Sequence, residues 1–276
     1  MEMGSGLISN DVMSPDPIPD DVAEALARAG ARLGPFQHHL SWHEQVASTN
    51  DIAIVAAEHG APEGFVVAAN AQSSGRGRLG RSWASPPAAG LYVSAILRPA
   101  PQVLPLITIA AGVAVADGIE AATGLRPCVK WPNDVYAGSR KLAGILAEAG
   151  SSAAGEHVVV GFGINLRPAA YPPEVAARAT SVEAELGRSV DRGLVLAECL
   201  AALSMRYALL QRGAGDVVIS AWRARAAAHM GRPVEWDVDR GTRRGIAYDV
   251  DAHGALLVRV DDQIVRVISG EVRWIV

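Results

Sequence analysis

The sequence predicts an α+β protein: a main domain with a mixed β-sheet and flanking helices, then a small all-β domain. Three observations carry this reading. Apolar runs of strand length alternate with longer runs of helical periodicity between residues 40 and 228. From Pro233 onward, short alternating segments recur between turn signals such as Asp239-Arg240-Gly241 and Asp251-Ala252-His253-Gly254, the pattern of a small barrel or sandwich. Of the 276 residues, 50% are hydrophobic but only 5% aromatic, so the interior is built mainly from Ala, Val, Leu and Ile and is large enough for one sizeable domain with an appendage. The expected boundaries are a flexible arm at 1–21, a main domain at 22–230 and the β domain at 231–276.

In chain order, Asp20 is placed to cap a helix bearing Val22, Ala25, Leu26, Ala29 and Leu33 on one face, ending near Gly30 or Gly34. Residues 40–46 read as a strand, 51–59 as a short helix stopped by Gly60, and 65–69 as a buried strand. Residues 91–97 form another strand and 104–122 a mostly buried helix ending at Gly124. Strands follow at 128–131, 141–148 and 157–166, then a proline-rich turn (Pro168, Pro172, Pro173) and helices at 194–210 and 217–228. The closing strands are expected at 234–238, 245–250, 256–260, 264–267 and 272–275.

Bulk properties exclude several classes. A net charge of −4 argues against a nucleic acid or an anionic membrane as main partner. The first twenty-one residues hold five acids and no Lys or Arg, unlike a signal peptide. The longest apolar run, 104–116, is too short for a bilayer and contains Pro105 and Thr108. Cys128 and Cys199 are the only cysteines, which fits reduced thiols in a cytoplasmic protein, and no Cys/His group has zinc spacing, so no resident protein metal site is expected.

One stretch concentrates chemistry. Residues 72–83 read QSSGRGRLGRSW, with Arg76, Arg78 and Arg81 among Gly75, Gly77 and Gly80, inside an interval from Glu63 to Asp117 that holds no other acid. Glycines let backbone N–H groups approach a ligand, and guanidinium forks pair with carboxylate or phosphate. The glycines satisfy G-x-G-x-x-G literally, but Ser85-Pro86-Pro87 blocks the helix that a dinucleotide fold needs, and no Walker A loop occurs. Ordering about eight residues costs on the order of 10 kcal/mol, against about 1.5–3 kcal/mol for each charge-assisted bond. The loop is therefore expected to be mobile when empty and to close when several contacts form together.

Two further segments fit beside it. In Lys130-Trp131-Pro132-Asn133-Asp134, Pro132 ends a strand and projects Asn133 and Asp134, where a carboxylate can orient an amine, hold Mg²⁺ or cap a turn. In Lys141-Leu142-Ala143-Gly144-Ile145-Leu146, alternation puts Leu142, Gly144 and Leu146 on one face and Lys141 and Ile145 on the other. A lysine in an apolar strand calls for an anionic partner or marks a sheet edge.

These segments, with Ser48-Thr49-Asn50 and Gly163-Ile164-Asn165, together resemble the biotin protein ligases, from about Leu40 to the C-terminus. The resemblance implies a catalytic domain similar to class II aminoacyl-tRNA synthetases and an SH3-like C-terminal barrel. It implies that biotin and MgATP form biotinoyl-5′-adenylate, after which a lysine of a biotin carboxyl carrier domain attacks it. Lys141, Arg76 and Asp134 would then be catalytic, Lys141 and the arginines by offsetting anionic repulsion and Asp134 by positioning the incoming lysine. Biotin would be held by Ser48, Thr49, Asn50, Gln72, Gly75, Arg76, Gly77, Arg78, Lys141 and Gly144, and nucleotide by Arg78, Arg81, Trp83, Asn133, Lys141 and Asn165. Some family members add an N-terminal helix-turn-helix repressor domain; about forty residues precede the resemblance here, so specific DNA binding is not expected. Lipoate ligases share the acyl-lysine logic and form the rival reading, beside a biotin-binding module without turnover.

Overall fold

The computed structural model describes residues 14–169, 171, 173–238 and 241–275. Most of the expected arm, the Asp239-Arg240 turn and Pro172 lie outside the described residues. The main-domain elements run α1 (Asp20–Ala29), β1 (Leu40–His43), α2 (Thr49–Glu58), β2 (Val66–Ala69), β3 (Gly90–Leu97) and α3 (Ile107–Thr123). They continue as β4 (Cys128–Lys130), β5 (Asp134–Ala137), β6 (Arg140–Ser152), β7 (Gly155–Asn165), α4 (Pro173–Ala176), α5 (Val182–Leu186), α6 (Arg192–Gln211) and α7 (Gly215–Ala226). The C-terminal strands are β8 (Pro233–Val238), β9 (Gly241–Val250), β10 (Leu256–Val260), β11 (Gln263–Val267) and β12 (Val272–Trp274).

Seven strands form one sheet in the order β1-β2-β3-β7-β6-β5-β4, with β1 and β2 parallel and the other neighbours antiparallel. Strand alternation sorts the core into two layers. Val66, Ala68, Val93, Ala95, Val160 and Phe162 pack with α3 and α6 on one side, while Val67, Ile96 and Val159 pack under Ala53 and Ala57 of α2 on the other. α3 is buried nearly all round, so it shows no polar face. Two helical stretches, Pro101–Thr123 and Arg192–Gln211, are long and apolar enough to suit a bilayer, yet both serve here as core layers against the sheet.

The end of the expected arm is tied down. The Asp16 N–H donates to the Trp42 carbonyl at 2.8 Å, and its carboxylate accepts from the Glu44 N–H at 2.8 Å. Asp20 is the first helical residue rather than the cap, which falls to Pro19; Asp20 and Asp21 instead place negative charge at the helix's positive end. β5 is not anticipated by the sequence, because four residues after a proline look like a turn, but they find partners in both β4 and β6.

The five C-terminal strands form an antiparallel sheet in the order β11-β10-β9-β8-β12. The Trp131 Nε1–H donates to the Gly254 carbonyl at 2.9 Å, and Arg223 reaches Asp249 and the Val250 carbonyl, fastening this sheet to the main domain. Asp117 on α3 binds Arg206 of α6 and Arg225 of α7, which joins three helices through one carboxylate.

α3 and α6 touch at Gly118, where a Cβ would lie 2.5 Å from the Cα and N of Cys199. Gly118→Ala is therefore expected to lower stability by about 1–3 kcal/mol through overpacking, read as a lower urea midpoint with unchanged slope. His229 lies between the Tyr136 and Trp274 rings, and burial, with the charges of Lys130 and Arg232, lowers its pKa from 6.5 to about 4. The unfolded chain takes up this proton below about 6.5 and the folded chain does not until about 4, so its contribution to stability is complete above 6.5 and lost as pH falls through that window. The thermal midpoint should drop between pH 7 and pH 5, and His229→Gln should flatten that slope.

Candidate active site

The α2 side of the sheet carries a cleft of about 590 Å³. Its floor follows from the register. Tyr92 of β3 pairs with Gly163 of β7, Gly163 with Gly144 of β6, and Gly144 with Asp134 of β5. One step along, Ser94 pairs with Gly161 and Gly161 with Leu146. Three glycines thus clear adjacent strands of side chains on one face. The space is needed: a Cβ on Gly163 would lie 2.5 Å from Trp83 Nε1, one on Gly144 2.9 Å from Trp83 Cζ3, and one on Gly161 2.0 Å from Asn50 Oδ1.

Lys141 reaches this face through a β-bulge, which corrects the strand alternation expected from the sequence. Tyr136 pairs with Lys141 and Val135 with Ala143, so Leu142 is the extra residue and turns into the core. Lys141 thereby joins Gly144 on the cleft side, its Cε 3.3 Å from where a Gly144 Cβ would be. Its Nζ lies 2.6 Å from Asp134 Oδ1, an ion pair without hydrogen-bond geometry, and 5.2 Å from the centre of the Trp83 ring.

The Gly/Arg loop folds back on itself over the cleft. Gly77 N–H donates to the Arg81 carbonyl at 2.7 Å and Trp83 N–H to the Gly75 carbonyl at 2.8 Å. At the tip, Leu79 and Gly80 have φ of 56° and 72°; glycine suits the second, and Leu79 is exposed. The loop's cations all have partners. Arg76 pairs with Asp51 and Glu148, Arg81 with Glu271 of the C-terminal domain, and Arg78 donates to Asn133 Oδ1 at 3.3 Å. Burial pushes the Arg78 guanidinium below its ordinary pKa, with nearby Asp134 opposing that shift. Burial likewise lowers Lys130, whose Nζ sits 4.7 Å from the Tyr136 ring centre and 5.5 Å from that of Trp274.

At the other end, Ser48, Thr49 and Asn50 lead into α2 and are nearly inaccessible. Gln72 Oε1 accepts the Thr49 N–H at 2.9 Å, and Gln72 Nε2 donates to Ser85 Oγ at 2.9 Å. Asn133 Nδ2 donates to the Ile145 carbonyl at 2.7 Å, which locks the turn before Asp134.

The structure thus brings Ser48, Thr49, Asn50, Gln72, Arg76, Gly77, Arg78, Arg81, Trp83, Asn133, Asp134, Lys141 and Gly144 to one cleft. Gly75 and Asn165 do not line it. Gly75 is hemmed in by the Trp83 carbonyl and Ser85, and buried Asn165 donates to the Thr180 carbonyl at 2.9 Å, next to the backbone bonds that hold Lys141. Sequence reasoning missed Ser94, Tyr136, Arg178, Glu148 and the segment from Gly270 to Trp274. The last comes from the β domain, and no local pattern announces it. Among the described residues no group of three His, Cys, Asp or Glu side chains is arranged to hold a metal ion.

Residues 42–165 match the Biotin/lipoate A/B protein ligase family, and residues 229–273 match the Biotin protein ligase C terminal domain. The bifunctional ligase/repressor BirA of Bacillus subtilis (strain 168) is 32% identical over 259 residues, covering 92% of this chain and 79% of that protein. A biotin–[acetyl-CoA-carboxylase] ligase of Mycobacterium tuberculosis is 36% identical over 237 residues, 83% of this chain and 86% of the relative. The solved biotin protein ligase from Aquifex aeolicus, in complex with biotin and ATP, superposes with a TM-score of 0.75 at 28% identity, over 86% of this chain and 98% of its own. The cleft, the two-domain order and these likenesses agree, and the chain belongs to the biotin protein ligase family.

Proposed function

We propose that the chain joins biotin to a lysine of a biotin carboxyl carrier domain in two steps within this cleft. The observation that carries the reading is Lys141, turned by the bulge into the cleft beside Asp134, facing the hydrogen-bonding groups of Thr49, Asn50 and Gln72 across three glycines. In the first step a biotin carboxylate oxygen attacks the α-phosphorus of ATP, the bond to the β-phosphate oxygen breaks, and pyrophosphate leaves with its electron pair. Two anions must approach, so Arg76, Arg78 and Lys141 supply positive charge where negative charge builds up. In the second step the acceptor amine attacks the acyl carbon and AMP leaves. That amine has an ordinary pKa near ~10.4 and needs a group to orient it and take its proton, the role we give Asp134.

The nucleotide falls to Arg81, Trp83 and Asn133. Asn165 acts from behind by holding the segment at Thr180 that bonds Lys141. Gly75 and Gly77 serve as backbone positions in the loop. Magnesium would enter with ATP, held mainly by its phosphates. The proposal covers ligation in the cytoplasm.

Labelled pyrophosphate should exchange into ATP in the presence of biotin and not of lipoate. Exchange with lipoate alone would move the chain to the sister activity, and biotin binding without exchange would make it a non-catalytic module. Lys141→Gln should cut the biotin-dependent exchange by about 10²–10³-fold. Limited proteolysis gives a second check: cleavage within residues 74–82 should be suppressed by biotin plus ATP, and equal cleavage with and without ligand would remove the closing-loop element of the proposal.

A further inference from the structure

The polar contacts at the closed end of the cleft hold an uneven count of protons. We infer from it that Ser94 determines which ring the cleft accepts, an inference that rests on the biotin-ligase reading of the same site. Ser94 is fully buried on β3. Its Oγ lies 2.6 Å from Asn50 Oδ1 and 2.8 Å from Thr49 Oγ1, and Thr49 Oγ1 lies 3.2 Å from Gln72 Oε1. These are three oxygen–oxygen contacts, and only the hydroxyls of Ser94 and Thr49 bring protons to them.

The two amides have no freedom to supply the third. Asn50 Nδ2 donates to Glu148 Oε2 at 2.8 Å, and a carboxylate paired with Arg76 only accepts, so Asn50 must present its oxygen to Ser94. Gln72 Oε1 takes the Thr49 N–H while its Nε2 donates to Ser85, which fixes that amide as well. The Ser94 proton therefore goes to Asn50. Ser94 Oγ then takes the Thr49 proton over the shorter of Thr49's two contacts, and Thr49 and Gln72 are left with lone pairs and no proton between them. Both line the cleft. Gly161 belongs to the same device, because any side chain there would displace the Asn50 amide from Ser94.

An incoming ring must then bring the missing donor. A ureido ring does so through its N–H groups. A ring of the same shape with oxygen in place of N–H sets acceptor against acceptor, and the dithiolane of lipoate has no N–H to offer. Ser94 does not touch the ligand. It is a positioning residue that turns the Thr49 proton inward, with Glu148 and Asn50 setting the polarity of the chain.

The test uses the full chain and pyrophosphate exchange, with biotin and its isostere carrying ring oxygens in place of N–H. In the unmodified protein the isostere should have a KM at least about 100-fold above that of biotin. Ser94→Ala should raise the biotin KM by about 10- to 100-fold, leave the ATP KM in place and shrink the biotin-to-isostere ratio, because the Thr49 proton is then free to turn to the ligand. A ratio unchanged from the unmodified protein overturns the inference. If Ser94→Ala lowers the thermal midpoint, Ser94→Thr decides: a wild-type ratio with the hydroxyl retained supports the assignment, and an alanine-like ratio overturns it. Failure of the unmodified chain to exchange with biotin would instead count against the parent function.

Discussion

The cleft depends on the register among β3, β7, β6 and β5. Because Tyr92, Gly163, Gly144 and Asp134 lie in one row, and Ser94, Gly161 and Leu146 in the next, the same face offers open backbone in the middle and functional groups at either end. A slip of one residue would exchange this face for the one packed on α3, placing Val160 and Phe162 where the glycines stand. The apolar layer on the far side is thus what holds the polar one in place.

A bulge refines this register. Alternation alone would send Lys141 toward the core, where an unpaired ammonium is costly. The extra residue at Leu142 reverses its side, and Asp134 on the next strand meets the charge at 2.6 Å. The loop cations follow the same rule on the protein's surface, since Arg76 and Arg81 rest on carboxylates of α2, β6 and the C-terminal domain. Under the proposed function, an anionic substrate would compete with these resident carboxylates for the guanidinium groups. Exposed pairs of this kind are weak in water, which leaves such an exchange energetically easy.

The C-terminal sheet is part of the site rather than an appendage. Glu271 holds Arg81, and Trp274 faces Lys130 and His229, so the cleft is completed by two domains whose relation is fixed by the Trp131–Gly254 bond and the Arg223 contacts.

Much was legible in the sequence. Composition and periodicity set the α+β class, and most elements lie within a few residues of their expected places, because buried apolar spacing is a local property. The Gly/Arg loop and Lys141 could be singled out because clustered glycine and uncompensated charge are visible without a fold, Asn133-Asp134 because Pro132 ends a strand before them, and Ser48-Thr49-Asn50 through the family resemblance. Other features depended on partners distant in sequence. β5 became a strand only by pairing on both sides, Lys141 changed faces through a bulge that alternation cannot register, and Ser94 gained its place from Asn50, Thr49 and Gly161 on other elements. Asn165, which the resemblance assigns to the nucleotide, donates to the Thr180 backbone and does not line the cleft. The sequence by itself determined which chemical groups the protein carries and which segments are buried; tertiary structure decided which groups meet and which way their protons point, since both depend on distances between residues far apart in the chain.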